Sequence, residues 1–164
     1  MLIARFTVAD QIAYGVVDGD PDDAASLTVN AIDGHPFAPF ERTSARLAMN
    51  DVRLLPPVLP NKVIGIGKNY ADHAREMGGE APTTPVMFLK PSTSVIGPGE
   101  SVLLPEQSGQ VEFEGEIAVV IGRLAKDVPP ERVDDVILGY TCANDVTARD
   151  LQRSDGQWTR AKGF

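Results

Sequence analysis

Residues 111–122, VEFEGEIAVVIG, decide how this chain is read. Glu112, Glu114 and Glu116 alternate with Val111, Phe113, Gly115 and Ile117, and the segment then runs into AVVI at 118–121. A period of two marks a strand and puts the three carboxylates on one face, roughly 6.5–7 Å apart. The AVVI end has no polar face, as in a strand covered on both sides. Alternating Glu also suits a solvated strand face. Carboxylates at the mouth of a covered strand, however, repel one another and lose hydration, and a cation is the usual remedy. Two Glu at i and i+2 therefore make a half-site for a hard divalent ion such as Mg²⁺, which takes oxygen ligands and keeps several waters. A third carboxylate, Asp145, follows the apolar run at 140–143. Its competing use is to cap a helix beginning at Thr147.

Working outward, 111–121 is expected to be one long strand. Further strands are expected at 62–66, 85–89 and 140–144, with helices at 70–77 (capped by Asn69 and stopped by Gly78-Gly79), at 131–137 and from Thr147 to Gln152. Upstream, 3–8 and 12–17 read as a hairpin turning at Asp10-Gln11, 26–32 as a third strand and 42–49 as a short helix. LLPPVLP at 54–60 reads as an extended connector, because proline fixes φ and removes amide donors. The expected organisation is a small β-rich domain over 1–55 and the first part of a larger domain over 56–164. The fold class is mainly β with a few helices, α+β.

The balance of 23 acidic against 15 basic residues, a net charge of −8, argues against nucleic acid or an anionic membrane as main partner. The single cysteine, Cys142, forms no internal disulfide, which suits a reducing cytoplasm. No apolar run reaches the roughly 18 residues of a membrane span, and MLIARFTVAD lacks a signal-peptide core.

His73 and Glu76 stand three apart in DHARE, on one helical face. A carboxylate that orients one imidazole nitrogen lets the other deprotonate a water. A surface helix with scattered polar groups has the same spacing. Lys162 in RAKGF and Lys90 in FLKP are candidates to meet an anionic substrate or a developing oxyanion, or are ordinary surface lysines. Gly65-Ile66-Gly67 and Gly97-Pro98-Gly99 do not make a nucleotide fingerprint, no Gly-x-Ser-x-Gly elbow is present, and Cys and His are not spaced for zinc.

Taken in order, KVIGIGKNYADHAREMG, PVMFLKPSTSVIGPGE, VEFEGEIAVVIGR, GYTCANDVTARDLQ and WTRAKGF resemble the fumarylacetoacetate hydrolase family over about two thirds of the chain, residues 54–164. The part before Pro56 resembles the N-terminal extension of bacterial members. The resemblance implies a β-roll, barrel-like catalytic domain, a homodimer, and a role in aromatic catabolism. It implies Glu114, Glu116 and Asp145 as ligands of Mg²⁺ or Mn²⁺, with Ca²⁺ an alternative, and places Glu112 outside that triad. It implies His73 and Glu76 as a water-activating dyad on a lid-like helix, and Lys162 near the substrate oxygens. Gln152 and Arg149 then face the substrate or support the site, and Tyr70 and Lys90 line its wall. The implied partner is a small dicarbonyl acid such as an acylpyruvate or fumarylpyruvate, and the implied reaction is C–C hydrolysis assisted by Lewis-acid stabilisation of enolate charge. The alternatives are a 2-hydroxyhepta-2,4-diene-1,7-dioate isomerase, an oxaloacetate decarboxylase, or a non-catalytic fragment or binding module on the same fold. The family's domain normally runs well past AKGF, so the resemblance also implies a fragment, or a protein inactive by itself.

Overall fold

A computed structural model describes the chain except Met77 and Ala81, together with the side chains of His73, Ala74 and Glu76. Its backbone groups into two units. One holds Met1–Val58, Ile96–Glu100 and Ile117–Cys142, and the other holds Leu59–Val95, Ser101–Glu116 and Ala143–Phe164.

The first unit begins with β1 (Leu2–Val8) and β2 (Gln11–Asp18), paired in antiparallel register from Leu2–Val17 to Val8–Gln11. The turn residues are Ala9 and Asp10, both at positive φ (46° and 61°), so Gln11 already belongs to the strand rather than to the expected turn. Two consecutive left-handed residues match the right-handed twist of a tight hairpin. Next come β3 (Thr28–Asp33), β4 (Glu41–Ala48) and β5 (Arg53–Leu54), giving a sheet in the order β4-β3-β2-β1-β5. Alternate residues of β1 and β3 point to one side. There Ala4, Phe6 and Val29 are buried, with Val8, Val17, Leu47, Met49 and Leu54 around them. The helix expected at 42–49 is strand β4. Its Ala, Arg and Leu residues are good helix formers. Pairing with β3 supplies the backbone bonds, and Leu47 reaches the core, so tertiary context overrides a weak propensity. The prolyl stretch is tied down at its start. The Leu55 amide donates to the Arg5 carbonyl, and Arg5 Nη1 donates to the Pro56 carbonyl.

Further along lie β6 (Val63–Gly67), α1 (Ala71–Glu76) and β7 (Val86–Lys90), with β6 and β7 antiparallel from Val63–Lys90 to Gly67–Val86. The single strand expected over 111–121 is two strands. β8 (Val111–Glu112) and β9 (Gly115–Ile121) are separated at Phe113-Glu114. β10 (Ile137–Asn144) pairs with β9, whereas β11 (Thr147–Ala148) pairs with β8. The expected helix at 131–137 is a 3-10 helix, Pro130–Asp135, starting on the proline. The last helix, α2 (Arg149–Ser154), starts two residues later than expected because Thr147-Ala148 is strand.

The AVVI end of β9 is not covered on both sides. Ile117, Val119 and Ile121 are 69%, 49% and 52% exposed and alternate with half-buried Ala118 and Val120. Among the described residues no helix is long and apolar enough to cross a membrane.

Candidate functional site

The second unit holds the site. Its frame is a set of backbone bonds between short, irregular segments. The Asp145 amide donates to the Glu114 carbonyl (2.9 Å), and the Glu114 amide donates to the Asn144 side-chain oxygen (3.1 Å). The Arg149 amide donates to the Gln110 carbonyl (2.7 Å), and the Ala148 amide to the Ala161 carbonyl (2.8 Å). These bonds join the break between β8 and β9, the β10–β11 junction, the start of α2 and the turn after it. Ala148, Leu151 and Ala161 are packed together beneath, with Phe164 against them. Thr147, fully buried, donates its hydroxyl to the Asp145 carbonyl (2.8 Å).

On this frame two carboxylates meet three cations. Lys162 Nζ lies 2.8 Å from Glu114 Oε2 and 2.6 Å from Asp145 Oδ2. Its side chain is 3% exposed, and its ammonium stands 5.0 Å from the centre of the Phe88 ring, which packs edge-on against Trp158. Lys90 Nζ takes the other Asp145 oxygen at 2.5 Å and also donates to the Val146 carbonyl (3.2 Å). Arg149 Nη2 takes the other Glu114 oxygen (2.6 Å), its Nε donates to Glu112 (2.9 Å), and its Nη1 donates to Gln152 Oε1 (2.6 Å).

The electrostatics follow from this geometry. Burial pushes the Glu114 carboxyl up, but Lys162 and Arg149 outweigh it and hold the group below the usual carboxylate range. Burial pulls Lys90 below the ordinary lysine value, against the opposing pull of Asp145. For Arg149 burial works against the charge, and Glu114 and Glu112 raise it nonetheless. Arg149 and Gln110 hold half-buried Glu112 low.

The structure thus brings together Glu114, Asp145, Lys162, Lys90, Arg149 and Gln152 out of the residues singled out in the sequence. Glu116 sits half-buried on β9 and takes part in none of the described hydrogen bonds or ion pairs. Among the described residues no three His, Cys, Asp or Glu side chains form a group able to hold a metal. Tyr70 is 43% exposed and has no described hydrogen bond to the cluster. His73 and Glu76 lie on α1, but their side chains fall outside the described residues. Asp145 does not cap α2. The residue before that helix is Ala148, without a side-chain cap, and Asp150 takes the Leu151 amide instead. Lys90 and Phe88 sit two apart on β7, on one face. That spacing was readable in the sequence, but the pairing of Lys90 with Asp145 was not.

In kind, the donors fit a hard divalent ion. Two carboxylates from separate segments converge on one buried cation, here the Lys162 ammonium. Every oxygen of the pair is an acceptor with a second lone pair, so the ammonium contacts do not exhaust its capacity.

Comparisons with known proteins bear on the chain as a whole. Residues 62–164 match the family described as "Fumarylacetoacetate (FAA) hydrolase C-terminal", and residues 1–57 match "Rv2993c-like, N-terminal". Protein Rv2993c of Mycobacterium tuberculosis is 51% identical over 163 residues, covering 99% of this chain and 62% of that protein. The crystal structure of 2-hydroxyhepta-2,4-diene-1,7-dioate isomerase from Mycobacterium marinum superposes with a TM-score of 0.88 at 44% identity, covering 99% of this chain and 60% of that one. The mitochondrial oxaloacetate tautomerase Fahd2a of Rattus norvegicus is 44% identical over 112 residues, which are 68% of this chain and 36% of that enzyme. The chain therefore spans less than two thirds of the length of these relatives. With a matched family domain over more than half its residues and a mainly β fold shared along nearly its whole length, the chain belongs to the fumarylacetoacetate hydrolase family.

Proposed function

We propose that this chain carries the core of a divalent-metal-dependent enzyme that shifts a proton between the keto and enol forms of a small dicarboxylic keto acid. One observation carries the reading: Lys162, buried, holds Glu114 and Asp145 together beside a second lysine and an arginine. The isomerase and tautomerase names of the relatives at 44% identity support it.

Glu114 and Asp145 would hold the ion, with Glu116 as the further ligand implied by the sequence. The bound ion would supply Lewis-acid stabilisation of the charge that develops on the carbonyl oxygen. Moving a proton from the carbon beside a carbonyl sends its electron pair to that oxygen, which then needs donors. An ammonium has three N–H donors. Lys162 uses two on the carboxylates, and Lys90 uses two on Asp145 and the Val146 carbonyl, so each keeps one for a substrate oxygen. Ion pairing holds both lysines in place in advance, so little reorganisation accompanies the reaction. Proton transfer at carbon would fall to His73, with Glu76 as the carboxylate that the family resemblance pairs with it.

Hydrolysis of a C–C bond is the second reading, favoured by the i, i+3 placement of His73 and Glu76 on α1. A substrate panel separates the two. Oxaloacetate enolisation is followed by ultraviolet absorbance and acetylpyruvate cleavage by loss of the diketo chromophore, each with Mn²⁺ and with chelator. Chelator-sensitive enolisation without cleavage is the expected result. Cleavage lost in His73→Ala would favour hydrolysis, and turnover indifferent to chelator would sink both.

A further inference from the structure

Gly65-Ile66-Gly67 makes no nucleotide fingerprint, yet the structure gives its two glycines a use. They sit two apart on β6, on one face. A Cβ on Gly65 would overlap the ring of Phe88, its cross-strand neighbour on β7, and one on Gly67 would come within 2.6 Å of Trp158 Cζ3. The strand is therefore bare where both rings rest. The rings meet edge-to-face, with centroids 5.6 Å apart and planes at 65°. The Lys162 ammonium lies 5.0 Å from the centre of the Phe88 ring. The Lys162 amide donates to the Trp158 carbonyl (2.9 Å), so the turn that presents the lysine also presents the tryptophan. These contacts form a closed circuit, from the ammonium to Phe88, from Phe88 to Trp158, and from Trp158 through the backbone to Lys162 again. An ion pair closes the loop that carries Trp158: Arg160 donates Nε (2.8 Å) and Nη2 (2.6 Å) to the Asp155 carboxylate.

Lysine is a compact charge on a flexible stem. Glu114 and Asp145 hold the tip of Lys162 by two contacts, which leave it free to swing about the line through them. A third contact removes that freedom. A third carboxylate would do so by taking the last N–H. An aromatic face instead attracts the whole charge through its quadrupole and leaves that N–H for a substrate oxygen, and the attraction is largest where water is excluded. The Lys162 side chain is 3% exposed. We propose that Phe88, braced by Trp158, is a positioning residue that acts through Lys162: its ring face holds the ammonium where the carbonyl oxygen of the substrate gains charge. This rests on the enolising reading above.

The test replaces Phe88 in the whole chain with phenylalanines carrying one, three and five fluorines, which keep the ring's shape while draining its negative face. Two quantities are followed. One is kcat/KM for oxaloacetate enolisation with Mn²⁺. The other is the exchange of the Lys162 ammonium protons with water, read by NMR of isotopically labelled lysine side chains and assigned by the signal's absence from Lys162→Arg. The expected result is a stepwise loss of kcat/KM, on the order of tenfold for the fully fluorinated ring, with exchange several-fold faster. Trp158→Leu, which removes the brace and keeps the Phe88 ring, should speed the exchange too, and unchanged exchange there overturns the brace. A ring that only fills space leaves kcat/KM flat across the series, which overturns the proposal and leaves the proposed function standing. A wild-type chain that enolises nothing overturns that function. Exchange alone then decides whether Phe88 holds the ammonium: graded exchange upholds it and flat exchange overturns it.

Discussion

Lys162 is the residue on which most of the site depends. Two carboxylates converge on its ammonium, and its side chain is 3% exposed. Replacing it with methionine leaves Glu114 and Asp145 facing each other. Breaking one side of a buried ion pair costs about 3–5 kcal/mol. Arg149 and Lys90 still hold the outer oxygens, so the lower end, about 3 kcal/mol, is expected for Lys162→Met in urea unfolding. If the proposed function holds, the same variant also loses a donor to the developing oxyanion, and turnover is then expected to fall on the order of 100-fold. Asp150 tests a different residue-scale effect. Ser108 Oγ donates to it at 2.5 Å, and the Gly109 and Leu151 amides at 2.9 Å, which pins the turn before β8 to the first turn of α2. These bonds, that of Ser108 foremost, hold its carboxyl below the ordinary aspartate value. A depressed carboxyl contributes stability above its unfolded pKa, about 3.9, and loses that contribution as pH falls through the folded value. Asp150→Asn is therefore expected to lower stability at pH 7 and to flatten the acid limb of the stability–pH curve below about pH 4, measured by thermal unfolding across pH.

At the scale of elements, β6 shows what a glycine-rich strand is for. A Cβ on Gly65 would overlap the Phe88 ring, and one on Gly67 would come within 2.6 Å of Trp158 Cζ3. The Phe88 ring stands against the Lys162 ammonium and Trp158 packs edge-on against Phe88, so the glycines let this aromatic pair approach the strand closely. Gly67→Ala is expected to destabilise by about 1–3 kcal/mol, the usual cost of overpacking, and to weaken substrate binding through the displaced ring, checked by denaturant unfolding and by KM. The break between β8 and β9 belongs to this scale too. By pattern, 111–121 is continuous, yet Glu114 leaves the ladder and its amide bonds to the Asn144 side chain. The reason is a change of partner, with β8 on β11 and β9 on β10. Hydrophobic alternation carries no information about which strand pairs with which.

Across the whole chain, the described surface contains alternating apolar strand residues with nothing over them. Ile64, Ile66, Met87 and Leu89 are exposed on β6 and β7, and Ile117, Val119 and Ile121 on β9. Scattered exposed aliphatics are ordinary, but alternate positions along a strand make a contiguous apolar face, and such faces promote association. Self-association rising with concentration is expected for this chain in light scattering, and Val119→Glu should reduce it without lowering the unfolding midpoint. The net charge of −8 adds a general repulsion that salt would screen, so association should strengthen as ionic strength rises.

The sequence by itself determined the strand-rich character, the start of a separate N-terminal sheet, and the residue types at the site. Period-two alternation and Gly and Pro punctuation are local properties of a chain, and they raised Glu112, Glu114, Glu116, Asp145, Lys90 and Lys162 as candidates; the choice among them came from the family resemblance of the ordered motifs. Local pattern misjudged β4, where good helix formers sit in an edge strand, and it missed the two-residue break at Phe113-Glu114. Only the tertiary structure decided that Lys90 would close on Asp145, 55 residues away, and that Lys162 would bridge carboxylates 17 and 48 residues from it. Those meetings depend on backbone bonds among segments distant in sequence, and on burial that makes a charge without a counter-ion costly, neither of which any short window of residues contains.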